Sequence, residues 1–492
     1  MVARRLLLLV LGLAGCAVGP DHARPPPPSV ADYTLGGPVL GTVAAPGPAG
    51  AAQHFRHGAA VPEAWWRIFG SATLDALVQD GTGNLELRAA LARLRQAQAL
   101  LRAAGGALFP AVDLEAAATR QRPGGGSLSS GAAAGGGGPQ VFDVVTAAGT
   151  VSYRLDLFGR ARRAMEAQAA ETAQALWALQ AARLSVANNI VASALAQARL
   201  RGRIAARQAL IAAQQRQIGL IRARVGAGAA SDAALVSAQA ELAEIRAPLP
   251  RLAQELAVAQ HRLAVLVGRP PGLFAPPALQ LGDLRLPVAL PVVLPAALVR
   301  RRPDILAAEA ALQAASARIG VATAGLYPDV TLDASYGLGS AAPRGAGLAF
   351  SPFWSLGASL LQPLFRGGRL RAERDAAIAA FEAAEADYRA TVLGAFAEVA
   401  NALRALQNDA AALRAAREAV QAARRSLELA QLRYEAGATD FTAVLVARQQ
   451  FQRALLNEVD AVAGRFQDTT ALFAALGGGV AEAPLALAEA GR

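Results

Sequence analysis

"NLELRAALARLRQAQALLRAAGGALFPAVDL" (84–114) and "RPDILAAEAALQAASARIGVATAGLYPDVTL" (302–332) align without a gap at an offset of 218 residues. Leu87 falls on Ile305, Leu94 on Leu312, and Phe109-Pro110 on Tyr327-Pro328. Two more pairs follow in the same order. "LDLFGR" (155–160) matches "QPLFRGGR" (362–369) with two extra residues, and "RVGAGAASDAALVSAQAEL" (224–242) matches "RYEAGATDFTAVLVARQQF" (433–451) at a gapless offset of 209. Three patterns recurring in sequence make this a duplicated unit of about 200 residues.

Each unit reads as helix, strand, strand, very long helix, turn, helix. Arg160 to Arg224 contains no proline and two glycines, and Arg369 to Tyr434 no proline and one glycine. At ~1.5 Å per residue each predicts a helix of roughly 100 Å, too long for a compact domain to enclose. In the second, Ile378, Phe381, Tyr388, Val392, Phe396, Val399, Leu403, Leu406, Leu413, Val420 and Leu427 recur mostly at sums of three and four, as in a coiled-coil seam. Gly228 and Gly437 stand where a helix ends in the left-handed conformation. Ser231-Asp232 and Thr439-Asp440 are candidate N-caps for the helices that return. Pro248 and Pro250 predict a kink or break in the first returning helix, whereas Asp440 to about Leu476 has no proline.

The strand segments alternate. In "DVTLDASYG", Val330, Leu332, Ala334 and Tyr336 oppose Thr331, Asp333, Ser335 and Gly337; "FWSLGASLL" and "AVDLEAAAT" behave alike, and "VFDVVTAAGTVSYRL" is less regular. Runs of about ten alternating residues suit tilted transmembrane strands. Four strands cannot close a membrane barrel, and an open edge cannot face lipid. A barrel must then be shared between chains: three copies give twelve strands, and the long helices form a tube by the same symmetry. The glycine-rich "RPGGGSLSSGAAAGGGGPQ" (122–140) lacks a lysine and a following helix, so it reads as a surface loop and not a phosphate cradle. "LPVALPVVLPAAL" (286–298) carries three prolines, which predicts an extended crossover and not a membrane helix.

Composition removes most chemistry. All 48 basic residues are arginine, which excludes Walker-type phosphate loops and Schiff-base enzymes. The net charge of +11 is spread along helical patterns among glutamates, without the basic block of a nucleic-acid binder. Of His22, His54, His57 and His261, only His54 and His57 are close in sequence, in a Pro/Gly/Ala-rich segment with no helix to aim them. No catalytic pair, metal site or cofactor is expected. Cys16 is the only cysteine. It follows Arg4, Arg5 and a short apolar run, Leu6 to Ala14, too short to span a bilayer; this reads as an export signal. Leu13-Ala14-Gly15-Cys16 resembles the bacterial lipobox, which makes Cys16 a lipid-bearing mature N-terminus. Ala17, not aspartate, follows it, which by resemblance to known lipoproteins points to the outer membrane.

The expected organisation is a signal peptide (1–15), a lipidated extended leader (16–62), repeat 1 (63–283), a crossover (284–300), repeat 2 (301–478) and a tail (479–492). Within the repeats, strands are expected at about 111–122, 141–155, 329–339 and 350–362. Helices are expected at about 159–225, 231–267, 368–434 and 440–476.

On Cys16-Ala-Val-Gly-Pro-Asp21, Trp65-Trp66, "NLELRAA", "VGRPPG" (267–272), "RRPDILAAEAAL" (301–312) and "LLQPLFRGGRLR" (360–371), the chain resembles TolC-like outer-membrane factors of the NodT/OprM efflux-lipoprotein type. The resemblance runs from Cys16 to about Gly479. It implies a homotrimer with a twelve-stranded outer-membrane barrel continued by a periplasmic helical tunnel. It also implies a periplasmic adaptor and an inner-membrane pump of the resistance-nodulation-division type as partners. By resemblance, the hairpin tips with Arg224, Gly228, Arg433, Tyr434 and Gly437 dock the adaptor; the glycines are expected to cap their helices as well, and the arginines to serve docking or inter-helix pairing. Asp440 is a candidate for a periplasmic gate, since three symmetry-related carboxylates would repel unless paired or hydrated; it is equally a helix N-cap. The function expected is a passive exit duct for small molecules in a Gram-negative outer membrane. A type I protein-secretion duct and a membrane-spacing coiled-coil lipoprotein are the alternatives.

Overall fold

Two antiparallel strand pairs and two helical hairpins alternate along the chain and assemble into one layered rod. The computed structural model describes residues 17–26, 28–122, 141–343 and 347–479. The export signal, Cys16, nearly all of the glycine-rich loop and the tail from residue 480 lie outside the described residues.

In the first repeat, α1 (Ala72–Asp80) and α2 (Leu85–Gly106) lead into β2 (Ala111–Gln121) and β3 (Phe142–Leu155), then α3 (Arg160–Gly226), α4 (Asp232–Arg246) and α5 (Leu249–Leu266). The second has α6 (Pro303–Ala324), β5 (Asp329–Pro343), β6 (Ser351–Leu361), α7 (Arg369–Glu435) and α8 (Phe441–Ala475). Helices α3 and α7 have 67 residues each, about 100 Å. The single helix expected over about 231–267 is two. Pro248 has no N–H for the carbonyl four residues back, and the chain restarts at Leu249 with proline in the first turn.

The sheet order is β2-β3-β5-β6, all antiparallel. Beneath it the helices form a single layer. Near the sheet, α3 lies between α2 and α6, and α6 lies against α7; nearer the tips, α4 and α5 lie on α3, which packs on α8, and α8 on α7. Along the expected seam of α7, Tyr388, Val392, Val399, Leu403, Leu406 and Leu413 are buried, whereas Ile378, near the sheet, is exposed.

The core sits at the waist. Trp65 stacks on Phe473 (ring centroids 5.4 Å) and Phe69 meets Phe466 edge-on (5.9 Å). Arg302 of the "RRPDIL" run is buried and donates to Asp304 (2.6 Å), Glu398 (2.8 Å) and the Ala475 carbonyl (2.7 Å), tying α6 to both helices of the second hairpin. Among the described residues, α6 alone is long and apolar enough to cross a bilayer, yet it is half buried in this helical layer.

The leader, extended and without reason to fold alone, borrows its order. β1 (His54–His57) pairs in parallel with β4 (Ala289–Val292) of the crossover. The crossover is extended as far as Val293, then Pro295–Leu298 makes one helical turn. Arginines on α7 and α8 grip the leader's carbonyls: Arg414 holds Ala44 (2.6 Å), Arg417 holds Pro46 and Pro48, and Arg465 holds Ala51 (3.1 Å). Proline-rich chain has few N–H groups to pair with itself, so its carbonyls are served by side chains.

Candidate duct: the two-faced sheet and the hairpin tips

Register decides what the sheet can do. Across the four strands, Leu114 pairs with Gly149, Gly149 with Tyr336, and Tyr336 with Trp354. Paired residues share a face, so Val112, Leu114, Val151, Leu332, Tyr336, Trp354, Leu356 and Leu360 lie on one side. The other side carries Asp113, Glu115, Thr150, Ser152, Asp333, Ser335 and Ser355, with Ser335 and Ser355 hydroxyls 2.8 Å apart. Every residue of edge strands β2 and β6 is exposed, including Leu114 at 84% and Leu356 at 77%. An apolar outer face over a polar inner one is the pattern of a lipid-embedded barrel with a wet lumen.

At the far end the two hairpin tips are built alike. Gly228 (φ +72°) and Gly437 (φ +70°) are left-handed. Ala229 N–H donates to Arg224 O and Ala438 N–H to Arg433 O, both 2.8 Å; Gly228 and Gly437 donate to Val225 O (2.9 Å) and Tyr434 O (3.1 Å). This pair of bonds is the Schellman closure, so both glycines cap helices, and Arg224 and Arg433 sit three residues before the cap. Their guanidiniums are at the negative end of the helix dipole and point into solvent. Tyr434 is half-buried, its ring 5.3 Å from Phe441, in a small cluster with Ile221 and Val444 that joins the tips. Ser231 and Asp440 are the N-caps: Ser231 Oγ accepts from Ala234 N–H (3.4 Å) and Asp440 Oδ1 from Ala443 N–H (3.2 Å).

A buried polar layer lies behind the tips, and sequence reading missed it. Arg448 of α8 pairs with Glu241 of α4 at 3.6 Å and donates to Gln214 Oε1 of α3. Gln214 Nε2 donates to Glu241 Oε2 (3.1 Å) and to Ala238 O (2.8 Å), and Gln452 Nε2 to Glu241 Oε1 (3.0 Å). Burial pushes the Glu241 carboxyl above its ordinary range, with Arg448 opposing; burial pulls Arg448 down, with Glu241 opposing. The available signal was positional. Ala234, Ala238, Glu241 and Ile245 follow the four-three-four spacing of one buried helix face, so Glu241 is a charge at a core position.

Cys16, the expected acylation site, lies outside the described residues, which begin with its neighbour. Ala17 lies against Gly159, where no Cβ would fit, and Val18 N–H donates to Phe158 O (3.1 Å), at the rim where sheet meets helix.

The family described as "outer membrane efflux protein" matches residues 82–269 and 294–478. The chain belongs to that family. Among similar proteins, this outer membrane efflux protein is 33% identical over 417 residues to the pyoverdine export outer membrane protein OpmQ of Pseudomonas aeruginosa, covering 84% of this chain and 87% of that one. It is 30% identical over 486 residues to outer membrane protein OprJ of the same species, covering 96% and 95%. The solved structure of the outer-membrane channel OprN superposes with a TM-score of 0.82 at 30% identity, covering 94% of this chain and 99% of that one. The fold is that of a TolC-like channel, and the protein is the outer-membrane component of an efflux system.

Proposed function

We propose that three copies of the chain close around one axis into a passive duct: a twelve-stranded barrel in the outer membrane and a helical tunnel below it. One observation carries this reading: the open edges coincide. β2, α2 and the α4–α5 arm form one edge of the layer; β6 and α7 form the other. Joining β6 and α7 of one copy to β2 and α2 of the next satisfies unpaired strand groups and the uncovered flank of α7 at once. Such a head-to-tail contact closes into a ring, and only a closed sheet meets the backbone demand of a lipid interior.

The tips then project together into the periplasm as the docking end for an adaptor, with Arg224, Arg433 and the half-buried Tyr434 as contact residues and Gly228 and Gly437 fixing the turns. An inner-membrane pump of the resistance-nodulation-division type supplies the energy through that adaptor. Asp440 from each copy faces the narrowed mouth while capping its own helix, so charge repulsion there biases the mouth towards opening. Acyl chains on Cys16 would enter the membrane at the sheet's rim, because Ala17 is already there.

Detergent extraction should yield a heat-stable trimer that conducts ions in a planar bilayer; a monomeric rod without conductance would overturn the duct. Cys16→Ala should abolish acylation yet retain most of the trimer, since the sheet supplies the main hold on the membrane. Loss of all trimer in that variant would reverse the ranking of anchor and barrel.

A further inference from the structure

The junction of sheet and helices holds a cavity of about 360 Å³, within the roughly 300–1,000 Å³ of small-molecule sites. Three turns converge on it: the one after β3, the one from α6 into β5, and the one from β6 into α7. Five arginines meet three carboxylates in its lining. Arg154 pairs with Asp329 at 3.2 Å and Arg369 with Glu373 at 2.5 Å, while Arg318 is held by Glu171. Asp156 is engaged at the start of α3, accepting from the N–H groups of Ala161 and Arg162 at 3.0 Å each. The side chains of Arg160 and Arg366 make no hydrogen bond or ion pair among the described residues. The cavity therefore keeps two unneutralised guanidiniums.

Its orientation follows from the leader. Gly19 lies against Gly320 and Ala17 against Gly159, on one side of the α3–α6 layer. Arg318 and Ala322 stand two residues either side of Gly320, about 200° around the helix, and so line the opposite side. Arg154 belongs to the polar face of the sheet, in register with Thr331. The cavity thus opens on the wet face, away from the leader.

We propose that this cavity is a lumenal binding site for anionic solutes, those carrying phosphate or clustered carboxylate groups, repeated in each copy as an electropositive collar where barrel meets tunnel. Its lumenal placement rests on the duct reading; the site itself does not, because one chain supplies the whole lining. Arg160 and Arg366 supply planar donor forks matched to such oxyanions. The three partnered arginines are neutralised by their carboxylates and leave these two guanidiniums to the ligand.

The test uses the full-length protein in detergent with inorganic tripolyphosphate as the probe, read by a binding titration. Saturable binding is expected that weakens with added salt. The Arg160→Gln/Arg366→Gln double variant should bind at least tenfold more weakly, and Arg262→Gln, on the exposed side of α5, should match the unaltered protein. Arg366→Glu alone, in an exposed turn, is the second variant should the double one not fold, with a tenfold loss again expected. Equal affinity in the variants, no saturable binding, or equally tight binding of the polycation spermine would overturn the proposal. Oligomeric state, measured on the same samples, reports separately on the duct.

Discussion

Two residue positions show how little freedom the turns allow. Gly228 and Gly437 hold φ near +70°, where a Cβ meets the neighbouring carbonyl. Alanine at either should cost about 1–2 kcal/mol, confined to the tip. Amide exchange should therefore quicken at Ala229 and Ala438, whose N–H groups close the caps, and not at the waist. Asp468, on α8, shows a different constraint. Burial and the neighbouring Asp409 carboxylate push its pKa up to about 7, with Arg465 opposing, and its Oδ2 is buried without a hydrogen-bond partner among the described residues. The folded pKa is above the unfolded value, so the folded state holds the proton longer. Stability is then greatest at low pH and is lost as pH rises from about 4 to about 7. Asp468→Asn should flatten that fall and raise the melting temperature at pH 8; an unchanged pH profile would remove Asp468 as its source. The helix caps were legible in the sequence because glycine and Ser/Asp declare their geometry locally. Asp468 was not, because its surroundings come from Asp409, some sixty residues away.

The two hairpins are fastened by the charged pair Glu241–Arg448, and a buried pair is asymmetric in its energetics. Removing one partner strands the other, so Arg448→Ala should destabilise by about 3–5 kcal/mol. Replacing both with methionine should be nearly neutral in stability, because desolvation and attraction roughly cancel. A double variant as unstable as the single one would mean that Gln214 and Gln452 depend on the pair. Element lengths and order could be read from the sequence because repeat, proline placement and alternation are chain-local signals. The break at Pro248 was legible for the same reason. Which helices lie side by side was not, since α3 touches α2, α6, α4, α5 and α8 along different stretches and sides of one helix. The polar layer escaped for that reason too. The leader's fastening was hidden because Arg414, Arg417 and Arg465 look like solvated helix charges until the carbonyls of residues 44–51 are laid across them.

For the whole molecule, the decisive property is that the sheet has two chemically different faces and two unsatisfied edges. Adjacent residues on β6 separate the two faces. Leu356 stands mid-strand on the apolar face opposite Ala334, and Ser355, on the polar face, is opposite Ser335. An arginine on a lipid-facing midplane position costs about 2–4 kcal/mol, whereas lumenal positions tune passage without that penalty. Leu356→Arg should therefore reduce the yield of heat-resistant trimer in membranes severalfold. Ser355→Arg should leave the yield near normal and alter conductance. The contrast is sharper than either variant alone, because both place the same side chain on the same edge strand, one residue apart. If the edge alone governed assembly, the two would fail together. If the faces were reversed, Ser355→Arg would be the damaging change, and the cavity at the sheet–helix junction would open towards lipid instead of the lumen.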